Sequence, residues 1–394
     1  MKRIFFFIII VIATSYAFAT DEVSDYIKKQ NLQIRENNKK QQQGIKNQEQ
    51  EFQKYTYHSS AEFETWYALR KKAIAEFKKE ILGLWGEYQE PSNKVWIEYN
   101  RDKRSVSSVD FEKGVATVSI LVAKDASREL IKERLIKAVT RVITSKGSTG
   151  AEPEEQDDPA KQMARPMLQN QVIDKTGNPV TVTSVSRFAQ GLVEQATAIP
   201  ADSVVKVQIC FNLAPDHLEK RAEQFMPIIK KLCAKYNLDI SRVLATIHTE
   251  SQFNPLAQSS VNAIGLMQLV PIYGGREAYL YVYGVDAIPR EESLFDPELN
   301  IELGCAYIYL LKNRHFSLVP DQEKNCFCTI AAYNTGPKNV ATAFTGQRDV
   351  EQAAKIINAM ENAQKVYDHL MRNLPYQETR QYLADVVEKM KLYK

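Results

Sequence analysis

Glycine and proline are scarce in this chain, 15 of each in 394 residues. That scarcity excludes collagen-like and low-complexity architectures and disfavours a fold of many tight β-turns. It leaves room for long helices, so a mostly helical protein is expected. An excess of one charge is also missing: 51 Lys and Arg against 48 Asp and Glu leave a formal net charge of +3. A broad basic field for nucleic acid is therefore not expected. Long apolar runs are absent beyond the N-terminus. There Lys2 and Arg3 precede an apolar stretch over residues 4–13, too short to span a bilayer, and Ala17 and Ala19 flank Phe18 in a small-x-small cleavage pattern. We expect a secretory signal peptide over 1–19 and no membrane span after it. The alternative, an N-terminal anchor, lacks a cationic stop-transfer flank after Ala19.

Cysteine is absent before Cys210, so no thiol is available near the mature N-terminus and no lipid anchor is expected. The five cysteines, Cys210, Cys233, Cys305, Cys326 and Cys328, are odd in number and match no zinc spacing. Buried thiols are expected, with a Cys233–Cys305 bridge left open. His58, His217, His248, His315 and His369 are scattered, so no metal and no other cofactor is expected.

Residues 20–57 are a polar, Lys- and Gln-rich arm with too few apolar positions for a core. Ser59 and Glu62 form a capping-box pattern that opens a helix carrying Phe63, Trp66, Ile74, Phe77 and Ile81 and closing near Gly83 and Gly86. Strands are expected at 95–99, within 111–122 around Gly114, at 180–185 and at 204–211, with a helix over 127–144 and a solvated loop over 145–158. After residue 212 the pattern is helical almost to the end. The expected organisation is α+β overall: an α+β domain over 58–212 and an all-α domain over 213–394.

In the second half, Asp239 can cap a helix in which Val243, Ile247 and Glu250 share one face. A carboxylate delivered there loses water and meets the negative end of the helix dipole, and both effects raise its pKa toward that of a proton donor near neutral pH. On spacing alone, a Glu reaching solvent at a frayed helix end fits equally.

The surrounding text adds more. Glu250-Ser251 leads through Ser259 to Gly265-Leu266-Met267-Gln268, and Tyr333-Asn334 lies in an Ala-Ala-Tyr-Asn-Thr-Gly-Pro run. These blocks, with Asp296-Pro297 and Glu378-Thr379-Arg380-Gln381-Tyr382, resemble the lytic transglycosylases of the goose-type lysozyme-like fold. Residues 352–360 with Val366-Tyr367, and more loosely Asp110-Phe111, are similar to a membrane-bound subgroup of that family, lettered C. Two departures stand out: the subgroup is typically lipid-anchored through an N-terminal cysteine, and many relatives carry Met where Val270 stands.

The resemblance implies a goose-lysozyme-like catalytic domain that acts in the periplasm on peptidoglycan glycan strands. There the bond between N-acetylmuramic acid and N-acetylglucosamine is cut by attack of the muramic acid's own 6-hydroxyl. Glu250 would be acid and then base, so one carboxylate suffices where ordinary glycosidases need two. The resemblance further implies that Ser259 orients the acetamido group, Gln268 bonds the sugar and Met267 walls the cleft. Tyr333 and Asn334 would hold Glu250 and the sugar, Glu378 and Tyr382 would brace the far side, and Ser251 would fix the helix end. A hydrolytic lysozyme on the same scaffold and a non-catalytic wall-binding or assembly protein remain the alternatives.

Overall fold

A computed structural model describes residues 56–146, 166–200 and 204–394. The expected leader, nearly all of the polar arm and most of the loop over 145–158 lie outside the described residues. From Tyr57 onward the chain belongs to one compact unit.

Helix α1 (Ser60–Trp85) begins with a variant of the capping box, in which the Glu62 carboxylate reaches back to the residue before the Ser59 cap. Ser59 Oγ accepts from Glu62 N at 3.1 Å while the Glu62 carboxylate accepts from His58 N at 2.9 Å. It ends where Gly86, at φ 71°, turns its N–H back to the Leu82 carbonyl. Only Phe63, Phe77 and Ile81 of α1 are fully buried, and the last two pack on Ile97, Tyr99 and Val106 of the sheet.

That sheet contains β1 (Val95–Tyr99), β2 (Ser105–Asp110), β3 (Val115–Ala123), β4 (Thr197–Pro200) and β5 (Val204–Asn212) in the antiparallel order β1-β2-β3-β5-β4. Helix α2 (Arg128–Thr144), capped by Ser127, buries Leu135, Val139 and Val142 and packs on β3. Two sequence expectations differ from what forms. The serine-rich β2 is not marked by the sequence pattern, and residues 111–114 are the turn that follows it: apolar content in β2 is low, and pairing on both edges supplies the stability. Residues 180–185 are not a strand. Thr181 N donates to Ser184 Oγ at 2.9 Å, and helix α3 (Val185–Val193) starts at once. These local hydroxyl bonds outweigh the β-preference of the Val and Thr residues.

The second half is helical: α4 (His217–Tyr236), α5 (Ile240–Ser251), α6 (Arg276–Tyr283), α7 (Pro297–Leu310), α8 (Gln322–Thr335), α9 (Pro337–Thr345), α10 (Val350–Ala359), α11 (Ala363–Asn373) and α12 (Gln377–Leu392). Every residue of α5 from Ser241 to Thr249 is buried. Helices α4 and α12 pack against it, so it is a central strut. The five cysteines are free thiols; Cys233 on α4 and Cys305 on α7 are both buried.

Arg221, on α4 and 2% exposed, joins the two halves. Its guanidinium donates to the Phe111 carbonyl (3.2 Å) and Gln171 Oε1 (2.6 Å) on the α+β side and to the Gln252 carbonyl (2.9 Å) at the end of α5. A buried cation with its donors so engaged is a strong tie, because removing any one acceptor leaves a buried donor unpaired.

Candidate active site

Helix α5 starts at Asp239, whose carboxylate accepts from Ser241 N at 2.8 Å. It stops abruptly: Gln252 (φ 53°) and Phe253 (φ 57°) are both left-handed. Among the described residues, seven non-glycine residues have positive φ, and four of them, Gln252, Phe253, Asn262 and Gln268, fall between 252 and 268. Such conformations cost about 1–3 kcal/mol each and persist only where the surroundings over-determine them. Here the loop doubles back through bridges at Gln258–Ile264 and Ile264–Leu269. Ser251 Oγ donates to the Ile247 and Leu266 carbonyls at 3.1 and 2.7 Å, stitching the helix end to the loop.

The loop forms one wall of a cleft of about 960 Å³, at the upper end of the range for ligand sites. Of the residues named from sequence, Glu250, Ser259, Gln268, Tyr333, Asn334 and Glu378 line it. Ser259 Oγ accepts from Ala263 N at 3.0 Å, which leaves its hydroxyl proton free to aim outward. Gln268 spends its amide nitrogen on the Ala257 and Gly265 carbonyls (3.1 and 3.0 Å), so its Oε1 is the atom left for a ligand. Asn334 Oδ1 accepts from Thr379 Oγ1 at 2.7 Å, which fixes the amide and leaves its NH₂ over the cleft.

Three placements differ from expectation. Met267 does not wall the cleft: it is fully buried against Gly304 of α7, its N–H donates to Asn300 Oδ1 at 2.8 Å, and its carbonyl accepts from the Tyr333 hydroxyl at 2.8 Å. Tyr333 is therefore anchored to the backbone rather than holding the acid. Tyr382 is buried behind the cleft, beside Glu250, instead of bracing the far side. A motif read along the chain does not reveal which of two phenols meets the carboxyl.

Glu250 sits partly exposed at the cleft surface. Desolvation pushes its carboxyl up to about 8; the nearby Glu378 charge pushes the same way, while the Tyr382 phenol and the Lys389 ammonium pull it down. The Tyr382 hydroxyl lies beside the Glu250 carboxyl, where the phenol as a donor favours the carboxylate, while burial and the Glu250 charge keep the phenol itself protonated. Sequence reasoning missed Asn93, Tyr273 and Glu277, which also line the cleft. Asn93 comes from the α+β half, Tyr273 from a π-turn at Pro271–Gly275, and Glu277 is held by His315 Nε2 at 2.8 Å. None belongs to a recognised block, so nothing in the sequence marked them.

Comparison with known proteins accounts for both halves. A family model for the N-terminal domain of membrane-bound lytic murein transglycosylase C matches residues 59–224, and one for the transglycosylase SLT domain matches 227–356. The protein of that name from Klebsiella pneumoniae is 31% identical over 82% of this chain and 88% of its own length. The one from Cronobacter sakazakii is 30% identical over the same shares. The chain belongs to the membrane-bound lytic murein transglycosylase C family. The two matches meet within α4, so the helix carrying Arg221 spans the junction of the family's two parts. The 70 kDa soluble lytic transglycosylase of Escherichia coli is 24% identical over 45% of the chain, with a TM-score of 0.34, and the chain spans about a quarter of that enzyme's length. Among the described residues no helix is long and apolar enough to cross a membrane.

Proposed function

We propose that the chain is a peptidoglycan lytic transglycosylase that cuts the β-1,4 bond from N-acetylmuramic acid to N-acetylglucosamine and releases a 1,6-anhydro-muramoyl end. The observation that carries this reading is Glu250: a carboxyl on the cleft wall whose burial keeps it protonated near neutral pH. It donates its proton to the departing glycosidic oxygen. The carboxylate so formed then accepts the proton of the 6-hydroxyl as that oxygen attacks the anomeric carbon. The nucleophile is already tethered beside the reacting centre, so proximity substitutes for a bound water.

Tyr382 stabilises the carboxylate at the moment the proton leaves. Ser259 donates to the acetamido carbonyl, which supports the developing positive charge, and Gln268 and Asn334 bond sugar hydroxyls. Two other acids stand in the cleft. Glu277 is tied to His315, with Arg314 nearby, and so is a poor base. Glu378 is exposed on the cleft wall; its presence is what favours the hydrolytic alternative, with a water activated there. Action on peptidoglycan supports a location in the periplasm, at the wall, and membrane-bound is what the relatives' names say of those proteins.

The test is product chemistry. Purified sacculi digested in heavy-oxygen water should yield anhydro-muropeptides carrying no label, lighter by one water than lysozyme products. Labelled reducing ends as the primary product would make the chain a muramidase, and no product at all would leave a wall-binding module.

A further inference from the structure

The α+β half reaches the acid directly. Asn93 lies in the loop between α1 and β1, 157 residues from Glu250 in sequence, yet its Nδ2 donates to the Glu250 main-chain carbonyl at 2.9 Å. The same side chain lines the cleft.

The carbonyl it reaches is one that needs an outside donor, because the last carbonyls of a helix have no partner within the helix. Around the sharp stop of α5 four carbonyls have assigned partners. His248 O accepts from Gln252 N at 3.1 Å, Ser251 O from Asn254 N at 2.9 Å, and Gln252 O from buried Arg221 at 2.9 Å. Glu250 O is taken by Asn93. Two of these four donors are side chains anchored on or tied to the α+β half, and the backbone they hold is the left-handed pair Gln252-Phe253. The Asn93 loop is itself fixed: Ser92 Oγ accepts from Val95 N at 3.1 Å, Ser92 N donates to Val95 O at 2.9 Å, and Lys94 O accepts from Phe111 N at 3.0 Å. Asn93 thus carries the rigidity of β1 and β2 to the peptide that bears the acid.

We propose that Asn93 is a positioning residue for Glu250, so that the α+β half sets where the carboxyl stands in the cleft. This rests on the reading of Glu250 as the proton donor. The charged and titratable groups facing Glu250 are Glu378, Tyr382 and Lys389 from α12 and Tyr333 from α8. Lys94, next to Asn93, acts on Lys389 and on His248. A negative charge at position 93 would add to the push of Glu378.

The experiment uses the full chain, soluble uncross-linked glycan strands as substrate, and the variants Asn93→Ala and Asn93→Asp beside Glu250→Gln. Asn93→Ala should lower kcat by about 10- to 100-fold with KM nearly unchanged, the scale of a small displacement of a catalytic group. Asn93→Asp, the same size but without the donor, should lower kcat as well and move the alkaline limb of the rate profile up by about half a unit to one unit. A purely structural role would lower the melting temperature without lowering kcat in the folded protein, and the near-isosteric variant carries the test if Asn93→Ala melts early. A raised KM at wild-type kcat would make Asn93 a sugar contact and overturn the proposal, as would wild-type rates in both variants. Activity in Glu250→Gln removes the acid assignment itself. Inactive Glu250→Gln beside fully active Asn93 variants removes only this inference.

Discussion

At the scale of the residue, the proposed role of Glu250 makes both activity and stability fall as pH rises, over different windows. The proton donor must start protonated, and its carboxyl is raised to about 8. The rate should therefore hold through neutral pH and fall roughly tenfold per unit above about pH 8, which a pH series of wall solubilisation measures. Folding carries the same sign but begins to lose at lower pH. A carboxyl whose folded pKa is raised costs nothing below its unfolded value of 4.5, costs progressively more from there to about 8, and is at full cost above. Glu250→Gln removes that cost together with the proton. It should lower the rate by at least 10²- to 10⁴-fold and, at pH 8, stabilise the fold by about 1–3 kcal/mol. Melting curves at pH 8 and pH 4 check the sign: the gain should vanish at the lower pH.

At the scale of the element, the strained loop over 252–268 works because neighbours leave it no alternative. Gly265, at φ 76°, lies against the Asn300 side chain and the Leu294 carbonyl, where a Cβ has no room. Gly304 on α7 is equally constrained, since a Cβ there would meet Met267 Sδ, Cε and Cβ. Gly304→Ala should cost about 1–3 kcal/mol by overpacking. It should also reduce the rate, because the Met267 carbonyl it displaces anchors Tyr333. Gly83, within α1 and with open space where an alanine methyl would sit, is the control. There Gly83→Ala should stabilise by about 0.5–1 kcal/mol through helix propensity alone. Urea titrations of the two variants should move in opposite directions.

At the scale of the whole molecule, the two halves share one compact unit through Arg221 and Asn93, and they should unfold together. The sequence supplies its own probes. All three tryptophans, Trp66, Trp85 and Trp96, lie in the α+β half, whereas most of the helix lies beyond residue 216. Tryptophan fluorescence and far-ultraviolet circular dichroism should therefore give coincident urea midpoints. A fluorescence transition that precedes the loss of helix would show that the halves melt separately. Arg221→Met should separate the midpoints by stranding the Gln252, Phe111 and Gln171 acceptors that the guanidinium now satisfies.

The sequence by itself determined what local chemistry can determine. The Ser59–Glu62 box, the Asp239 cap and the Gly86 stop fixed helix ends because each needs only residues within a few positions. The ordered blocks around Glu250, Gln268 and Asn334 located the cleft, whose wall those side chains line. Where pairing or burial is decided by distant chain, the text was silent or misleading. β2 has few apolar residues and exists because β1 and β3 bond to its edges. Met267 reads as a cleft residue and is core, since Gly304 leaves a space behind it. Tyr382 and Tyr333 differ in role only because α12 and α8 approach Glu250 from different sides. Asn93 carries no signal at all: a donor to a helix-end carbonyl becomes visible only when the chain between positions 93 and 250 has folded it into place.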